Sequence, residues 1–454
     1  MSARLACPPA PGPLEAYAVQ FDPLFQTLAQ RHGFRTYLSG LLLPRERSKT
    51  LTALVGAEPL VQAQAAEVQR LQFFLSEAAW DGEAINAKRL ALLLGEAATA
   101  PSAAGVLVID DTGDRKDGRA TDHVARQYLG SVGKVDNGIV AVTTLWADEA
   151  HYYPLHVMPY TPEKRLAGGK HDPAFRTKPQ IALSLVEQAQ AAGVPFCAIV
   201  ADCFYGDNNG LETALLKRGL PHVLARRGAV GRGWAPAEAD HSFKEAAQAL
   251  PLSAWREVIR RFRDGHTERW WAAELTLLGY GPGRLVRAIC ATTDRLALPE
   301  LSTWYLTTNL PAPLAEIVRI YGLRNWIEQG YKQMKDELGW ADFMVRSDRA
   351  IRRHWTLVCC AFAFCWWNEA MQSRASESAA QPGPGEKNQQ RQGAAVLAAP
   401  VARRARLADP GLLAGALLEC LCQRAPAGRT RRTAGRLERR PRHQPLPSAL
   451  TNYR

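Results

Sequence analysis

No run of apolar residues in this 454-residue chain is long enough to cross a bilayer. The longest apolar helical stretch, Trp355 to Trp367, spans about 13 residues, whereas a membrane helix needs about 20. The opening Pro8-Pro9-Ala10-Pro11-Gly12-Pro13 lies in a loose leader at 1–14 that is neither charged nor apolar enough for a signal peptide. No phosphate-binding loop is present either, because Gly168-Gly169-Lys170 lacks the P-loop spacing, so no ATP use is expected. The nine cysteines include no set at zinc-ligand spacing. Cys359, Cys360 and Cys365 fall in the apolar helical stretch and read as reduced core residues, and Cys420 and Cys422 form a lone C-x-C. There is no internal repeat and no clean helix-turn-helix signature.

What the chain does have is positive charge, unevenly placed. The net charge is +12 and the pI about 9.4, which invites a nucleic-acid partner. Residues 371–454 hold 15 Lys plus Arg against 5 Asp plus Glu, which leaves only +2 for residues 1–370. Bulk charge therefore does not carry DNA binding in the larger part, and local clustering must.

The densest chemistry lies between Tyr321 and Lys335, a segment that reads as one helix. At ~100° per residue, Tyr321, Arg324 and Lys335 fall within roughly 40° of Glu328 around the axis. Arg324 and Glu328 alone could be an i,i+4 pair on a solvated face. Two upstream segments give the face more weight. Gly105-Val106-Leu107-Val108-Ile109 runs into Asp110-Asp111-Thr112, and Phe196-Cys197-Ala198-Ile199-Val200-Ala201 runs into Asp202. Continuous apolar runs of this kind are strands buried on both faces, and carboxylates at their ends sit where a sheet meets solvent. Asp110, Asp202 and Glu328 can then converge, with Asp111 left as an alternative to Asp110.

These residues resemble the DDE transposases of bacterial insertion sequences, in the cut-and-paste group with a Y-(2)-R-(3)-E-(6)-K motif. Tyr321, Arg324, Glu328 and Lys335 match it letter for letter, supported by I-D-D-T at Asp110 and D-x-x-Y-G at Asp202. Similarity also runs through Val124 to Tyr128, Gly133-Lys134, and Val345-Arg346-Ser347 with His354. It spans about residues 20 to 370. The resemblance implies a ribonuclease H-like α/β fold, a mixed sheet with flanking helices. It favours Asp110 over Asp111, makes Asp110, Asp202 and Glu328 the catalytic, metal-holding acids, and sets Tyr321, Arg324 and Lys335 on phosphates near the scissile bond. Hard anionic oxygens suit Mg²⁺, with Mn²⁺ possible in its place.

The coarse pattern agrees with that fold. Strands are expected at Gly138–Leu145, Tyr152–Met158 and His222–Ala225, and helices at Gln180–Ala191 and Leu211–Lys217. Between Asp202 and Glu328 the chain is longer than one strand and one helix need. Segments Trp270–Leu278, Arg284–Thr292 and Thr303–Thr308, with a turn at Gly279–Gly283, predict a β-rich insertion at about 228–311. Trp270, Trp271 and Trp304 in it could stack on a flipped base or simply fill the insertion's own core.

Residues 15–100 read as a helical module that could bind transposon ends, with Arg31, Arg35, Arg45, Arg47 and Lys49 among its helices, or as a helical cap on the catalytic domain at 101–370. Residues 371–454 read as a basic, low-complexity, largely disordered tail. The function expected is metal-dependent cleavage at element ends and strand transfer into target DNA, by a homodimer working on cytoplasmic, nucleoid DNA without a membrane. Terminal inverted repeats would be its double-stranded DNA substrate. Another ribonuclease H-like nuclease would cut without strand transfer, and an inactive relative would bind ends without cutting.

Overall fold

The computed structural model describes residues 5–228, 242–262, 265–278 and 285–380. The expected turn at Gly279–Gly283, residues 229–241 of the expected insertion and the chain beyond 380 lie outside the described residues.

The chain opens with helices α1 (Leu14–Ala18), α2 (Leu28–Leu42), α3 (Leu51–Leu54), α4 (Ala66–Ser76) and α5 (Gly82–Leu94). Thr27 starts α2 with a reciprocal cap: its side chain accepts from the Gln30 amide at 3.2 Å, and Gln30 accepts from the Thr27 amide at 3.2 Å. Strands β1 (Val106–Arg115), β2 (Ala125–Leu129), β3 (Lys134–Ala147) and β4 (Tyr152–Tyr160) then form an antiparallel meander. Helix α6 (Lys178–Ala191) leads to β5 (Ala198–Ala201), a short α7 (Cys203–Gly206), α8 (Asn209–Lys217) and β6 (His222–Arg226). Every strand and helix expected in this half is present. Strand β2 was not expected.

Helix α9 (Phe243–Gln248) and strands β7 (Arg256–Arg261), β8 (Thr267–Leu278), β9 (Leu285–Thr292) and β10 (Thr303–Thr308) come next. They continue the same sheet, because β10 pairs antiparallel with β6. The sheet order is β2-β3-β1-β5-β6-β10-β9-β8-β7, with β4 also on β3, and only β1–β5 and β5–β6 are parallel. This mixed sheet flanked by helices is the ribonuclease H-like α/β arrangement that the resemblance implied.

The chain then forms α10 (Leu314–Gly322), α11 (Asn325–Asp336) and α12 (Asp348–Ala380). The single helix expected over Tyr321–Lys335 is broken at Leu323 and Arg324. There the amides of Arg324 and Ile327 bond three residues back, to Tyr321 and Arg324, at 3.0 Å each, tightening the turn from α to 3₁₀ spacing. Helix α12 is the hub of packing: Leu357 to Trp366 are all buried, and one apolar core runs from Leu14 through the sheet to these residues. Cys359, Cys360 and Cys365 are free thiols within it, as expected. A second, smaller core of Phe243, Trp255, Leu275 and Cys290 lies on the other face of β8 and β9. No helix among the described residues is long and apolar enough to cross a membrane.

Candidate active site

Strands β1 and β5 run parallel, with Val106 opposite Ala198 and Ile109 opposite Ala201. The ladder ends there. One step further along the same register stand Asp110 and Asp202, on neighbouring strands whose spacing is about 5 Å. Residues Val106–Ile109 and Ala198–Ala201 are fully buried; Asp202 follows the end of β5, whereas Asp110 stands midway along β1, which runs on beside β3 to Arg115, so Asp110 faces the space opened where β5 stops.

Asp202 is fixed by its own turn. Its Oδ1 accepts the amides of Phe204 at 3.1 Å and Tyr205 at 3.3 Å, capping α7. Gly206 closes that turn against β6, where a Cβ would lie 1.9 Å from the Ala225 carbonyl oxygen, so only glycine fits. Asp110 Oδ1 accepts the amide of Asp111 at 2.7 Å, and its Oδ2 accepts Arg324 Nη2 at 2.9 Å. Arg324 also reaches Glu328, whose Oε1 lies 3.1 Å from Nη1. The break between α10 and α11 thus sets a guanidinium between an acid on the sheet and an acid on the helix.

Asp111 points to the opposite side of β1, as neighbouring strand residues do. Lys178 Nζ donates to its Oδ1 at 3.0 Å and the Tyr205 hydroxyl to its Oδ2 at 3.0 Å.

The electrostatics follow from burial. Desolvation, with the Asp202 and Asp111 charges, pushes the Asp110 carboxyl up to about 7 despite Arg324. Burial raises Asp202 as well. Burial opposes the charge on Arg324, but Asp110, Tyr321, Asp202 and Glu328 together hold it more firmly protonated than usual. Among the described residues, no group of three His, Cys, Asp or Glu side chains is assembled at metal-ligand spacing. The donor chemistry nonetheless fits a hard divalent cation: half-buried carboxylates on and just past adjacent strands, their ionisation opposed by desolvation and by one another, gain most from such a charge.

The remaining expected residues divide. Tyr321 is buried and meets Trp304 edge-on, with ring centroids 4.9 Å apart. Trp304 in turn lies 4.2 Å from Trp270. Arg260, on the unforeseen β7, places its guanidinium 4.8–4.9 Å from the rings of Phe262, Trp270 and Trp304. Trp271 faces the other way, packs on the smaller core and stacks under Arg295 at 4.0 Å. Lys335, seven residues after Glu328 in α11, turns towards β1 further along that strand than Asp110. Its Nζ is 2.6 Å from Asp114 Oδ1 and 3.2 Å from the Gly113 carbonyl, in a site where Asp114 also accepts Trp340 Nε1 at 3.1 Å. Arg260 and Asp114 were missed in the sequence. Charged residues on both faces of Arg256–Arg261 hid β7, and nothing in the spacing tied Asp114 to a residue far along the chain.

A ribonuclease H-like sheet with acids midway along β1, just past the end of β5 and on a following helix is the framework of enzymes that cut and rejoin nucleic-acid strands. Comparison with known proteins narrows this class. Residues 20–238 match the family described as "DDE superfamily endonuclease", and residues 170–364 the family described as "Transposase DDE domain". The chain is also 32% identical, over 337 residues, to the probable transposase for insertion sequence element IS701 of Microchaete diplosiphon, a match covering 73% of this chain and 81% of that protein. The chain belongs to the DDE transposases of insertion sequences, enzymes of DNA cleavage and strand transfer that use divalent metal ions.

Proposed function

We propose that Asp110, Asp202 and Glu328 are the catalytic acids and that they hold the metal, Mg²⁺ in preference to Mn²⁺. The observation that carries this reading is the placement of Asp110 and Asp202 one step beyond the β1–β5 ladder, with Arg324 linking Asp110 to Glu328. The metal, when bound, supplies activation of the attacking water or 3′-hydroxyl and stabilisation of the leaving oxygen. The chain supplies the rest. Arg324, half-buried and preorganised, offers its planar fork to the scissile phosphate in exchange for the carboxylates it now holds. Tyr321 backs it from the α10 side. Trp304 and Trp270, beside Tyr321, take a base displaced from the stack, which supports cleavage of the second strand through a hairpin. Lys335 acts through Asp114, setting the end of β1, and Trp271 serves packing alone.

The substrate in this reading is double-stranded DNA carrying the element's terminal inverted repeats, and the second substrate is target DNA. Helices α1–α5 contribute to end binding, two copies pair two ends, and the reaction takes place on nucleoid DNA in the cytoplasm. Purified protein incubated with an end-bearing fragment and a supercoiled target plasmid tests the reaction. Mg²⁺-dependent cleavage at the end followed by covalent joining to the plasmid is expected. Cleavage without joining would move the assignment to a simple nuclease, and light scattering of the protein–end complex tests the dimer.

A further inference from the structure

Asp110 and Asp202 have a shared positional problem. The last paired residues between their strands are Ile109 and Ala201, so the ladder sets the backbone up to the two acids but not the direction of their carboxylates. A misplacement of about 1 Å in a site of this kind costs on the order of 10²-fold in rate. Side chains must therefore take over where the ladder ends.

Tyr205 is placed to do so at both of its ends. Its amide donates to Asp202 Oδ1 at 3.3 Å, and its hydroxyl donates to Asp111 Oδ2 at 3.0 Å. It is fully buried, so the phenol cannot swing away without leaving the core. Asp111 is the immediate neighbour of Asp110, and its other oxygen receives Lys178 Nζ at 3.0 Å from the first turn of α6. Both oxygens of Asp111 are thus engaged on the face of β1 away from Arg324. A path of two hydrogen bonds runs from β1 through Asp111 and Tyr205 to the carboxylate of Asp202, and Lys178 holds Asp111 in place by its other oxygen.

We propose that Asp111, Tyr205 and Lys178 form a clamp that sets Asp202 against Asp110, with Asp111 a positioning residue and not a metal ligand. This rests on the reading of Asp110 and Asp202 as metal-holding acids. Residues that orient metal-holding side chains typically cost 10–100-fold in metal affinity or activity when removed.

The test uses full-length Asp110→Asn, Tyr205→Phe, Asp111→Asn and Asp111→Leu. Cleavage of an end-bearing fragment at saturating DNA is measured across a Mn²⁺ titration, alongside end binding by fluorescence anisotropy and thermal unfolding. Tyr205→Phe is expected to fold and bind ends like the wild type, to cleave about 10-fold more slowly and to need about 10-fold more Mn²⁺ for half-maximal cleavage. Asp111→Asn keeps an oxygen acceptor for Tyr205 and is expected to retain more activity than Asp111→Leu. Tyr205→Phe matching the wild type at every Mn²⁺ concentration overturns the clamp, as does Asp111→Asn being as inactive as Asp110→Asn. If Tyr205→Phe does not fold, the Asp111→Asn and Asp111→Leu pair decides, and equal rates overturn the proposal. An active Asp110→Asn would instead remove the underlying assignment of the acids.

Discussion

Arg324 Nη2 lies 2.9 Å from Asp110 Oδ2, joining two residues 214 positions apart in the chain, and the same guanidinium reaches Glu328 at 3.1 Å. The turn between α10 and α11 tightens at Leu323–Arg324, and Arg324 there faces the middle of β1.

Arg324→Lys keeps the charge but loses the planar fork that spans both acids. A loss of about 10²-fold in single-turnover cleavage is expected, comparable to removing one preorganised donor from an active site. End affinity, measured by gel shift, should change far less. Arg324→Lys cleaving within a few-fold of wild type would show that the bridge is incidental.

The raised Asp110 carboxyl makes a signed pH prediction. Its folded pKa of about 7 exceeds the unfolded value of about 3.9, so between these the native state binds more protons and stability falls as pH rises. For one group the fall is at most about 4 kcal/mol. His354 and His156, lowered by burial to about 3 and about 4, act oppositely: they stabilise as pH rises towards 6.5. The difference between wild type and Asp110→Asn cancels them. Urea unfolding in EDTA should show the wild type losing stability relative to the variant from pH 4.5 to 7.5, and a flat difference contradicts the shift.

Lys335 and Asp114 form a mostly buried pair, with side-chain exposures of 17% and 7%. Lys335→Met leaves Asp114 with Trp340 but without its ion-pair partner, at an expected cost of up to about 3–5 kcal/mol. Lys335→Met with Asp114→Asn should recover much of that, measured by denaturant unfolding. Were Lys335 chiefly a phosphate contact, the single variant would instead retain stability and lose end affinity.

The tryptophans separate by face. Trp304→Ala or Trp270→Ala should weaken capture of a displaced base by about 1–3 kcal/mol, read with 2-aminopurine placed next to the cleaved end. Trp271→Ala should lower the unfolding temperature and leave that fluorescence signal as in the wild type. Equal loss of signal in all three variants contradicts the assignment.

Much of this was legible in the sequence, for identifiable reasons. The apolar runs leading into Asp110 and Asp202 were legible as buried strands; β5 does stop at Asp202, but β1 continues past Asp110 to Arg115 because β3 goes on pairing with it. The Tyr321–Lys335 spacing was legible in part as geometry. Glu328 and Lys335 share α11 as a uniform helix requires, whereas the tightened turn at Leu323–Arg324 leaves Tyr321 on α10 and Asp114 takes the Lys335 ammonium. Trp270 and Trp271 are adjacent on a strand and must face opposite sides. What sequence could not say is which side is the site, since that depends on β10 pairing with β6 and bringing Trp304 next to Tyr321. Asp111 was ambiguous because β1 is apolar on both faces up to that point, and its partners Lys178 and Tyr205 come from distant segments.

The most direct test of the central claim replaces each acid conservatively, with Asp110→Asn, Asp202→Asn and Glu328→Gln. Single-turnover cleavage of an end-bearing fragment is measured in Mg²⁺, with end binding followed in parallel. Each variant is expected to lose at least about 10³-fold in cleavage while binding ends within a few-fold of wild type, as befits groups acting only on the reacting phosphate. Any one of the three cleaving within about tenfold of wild type would contradict its place among the catalytic acids.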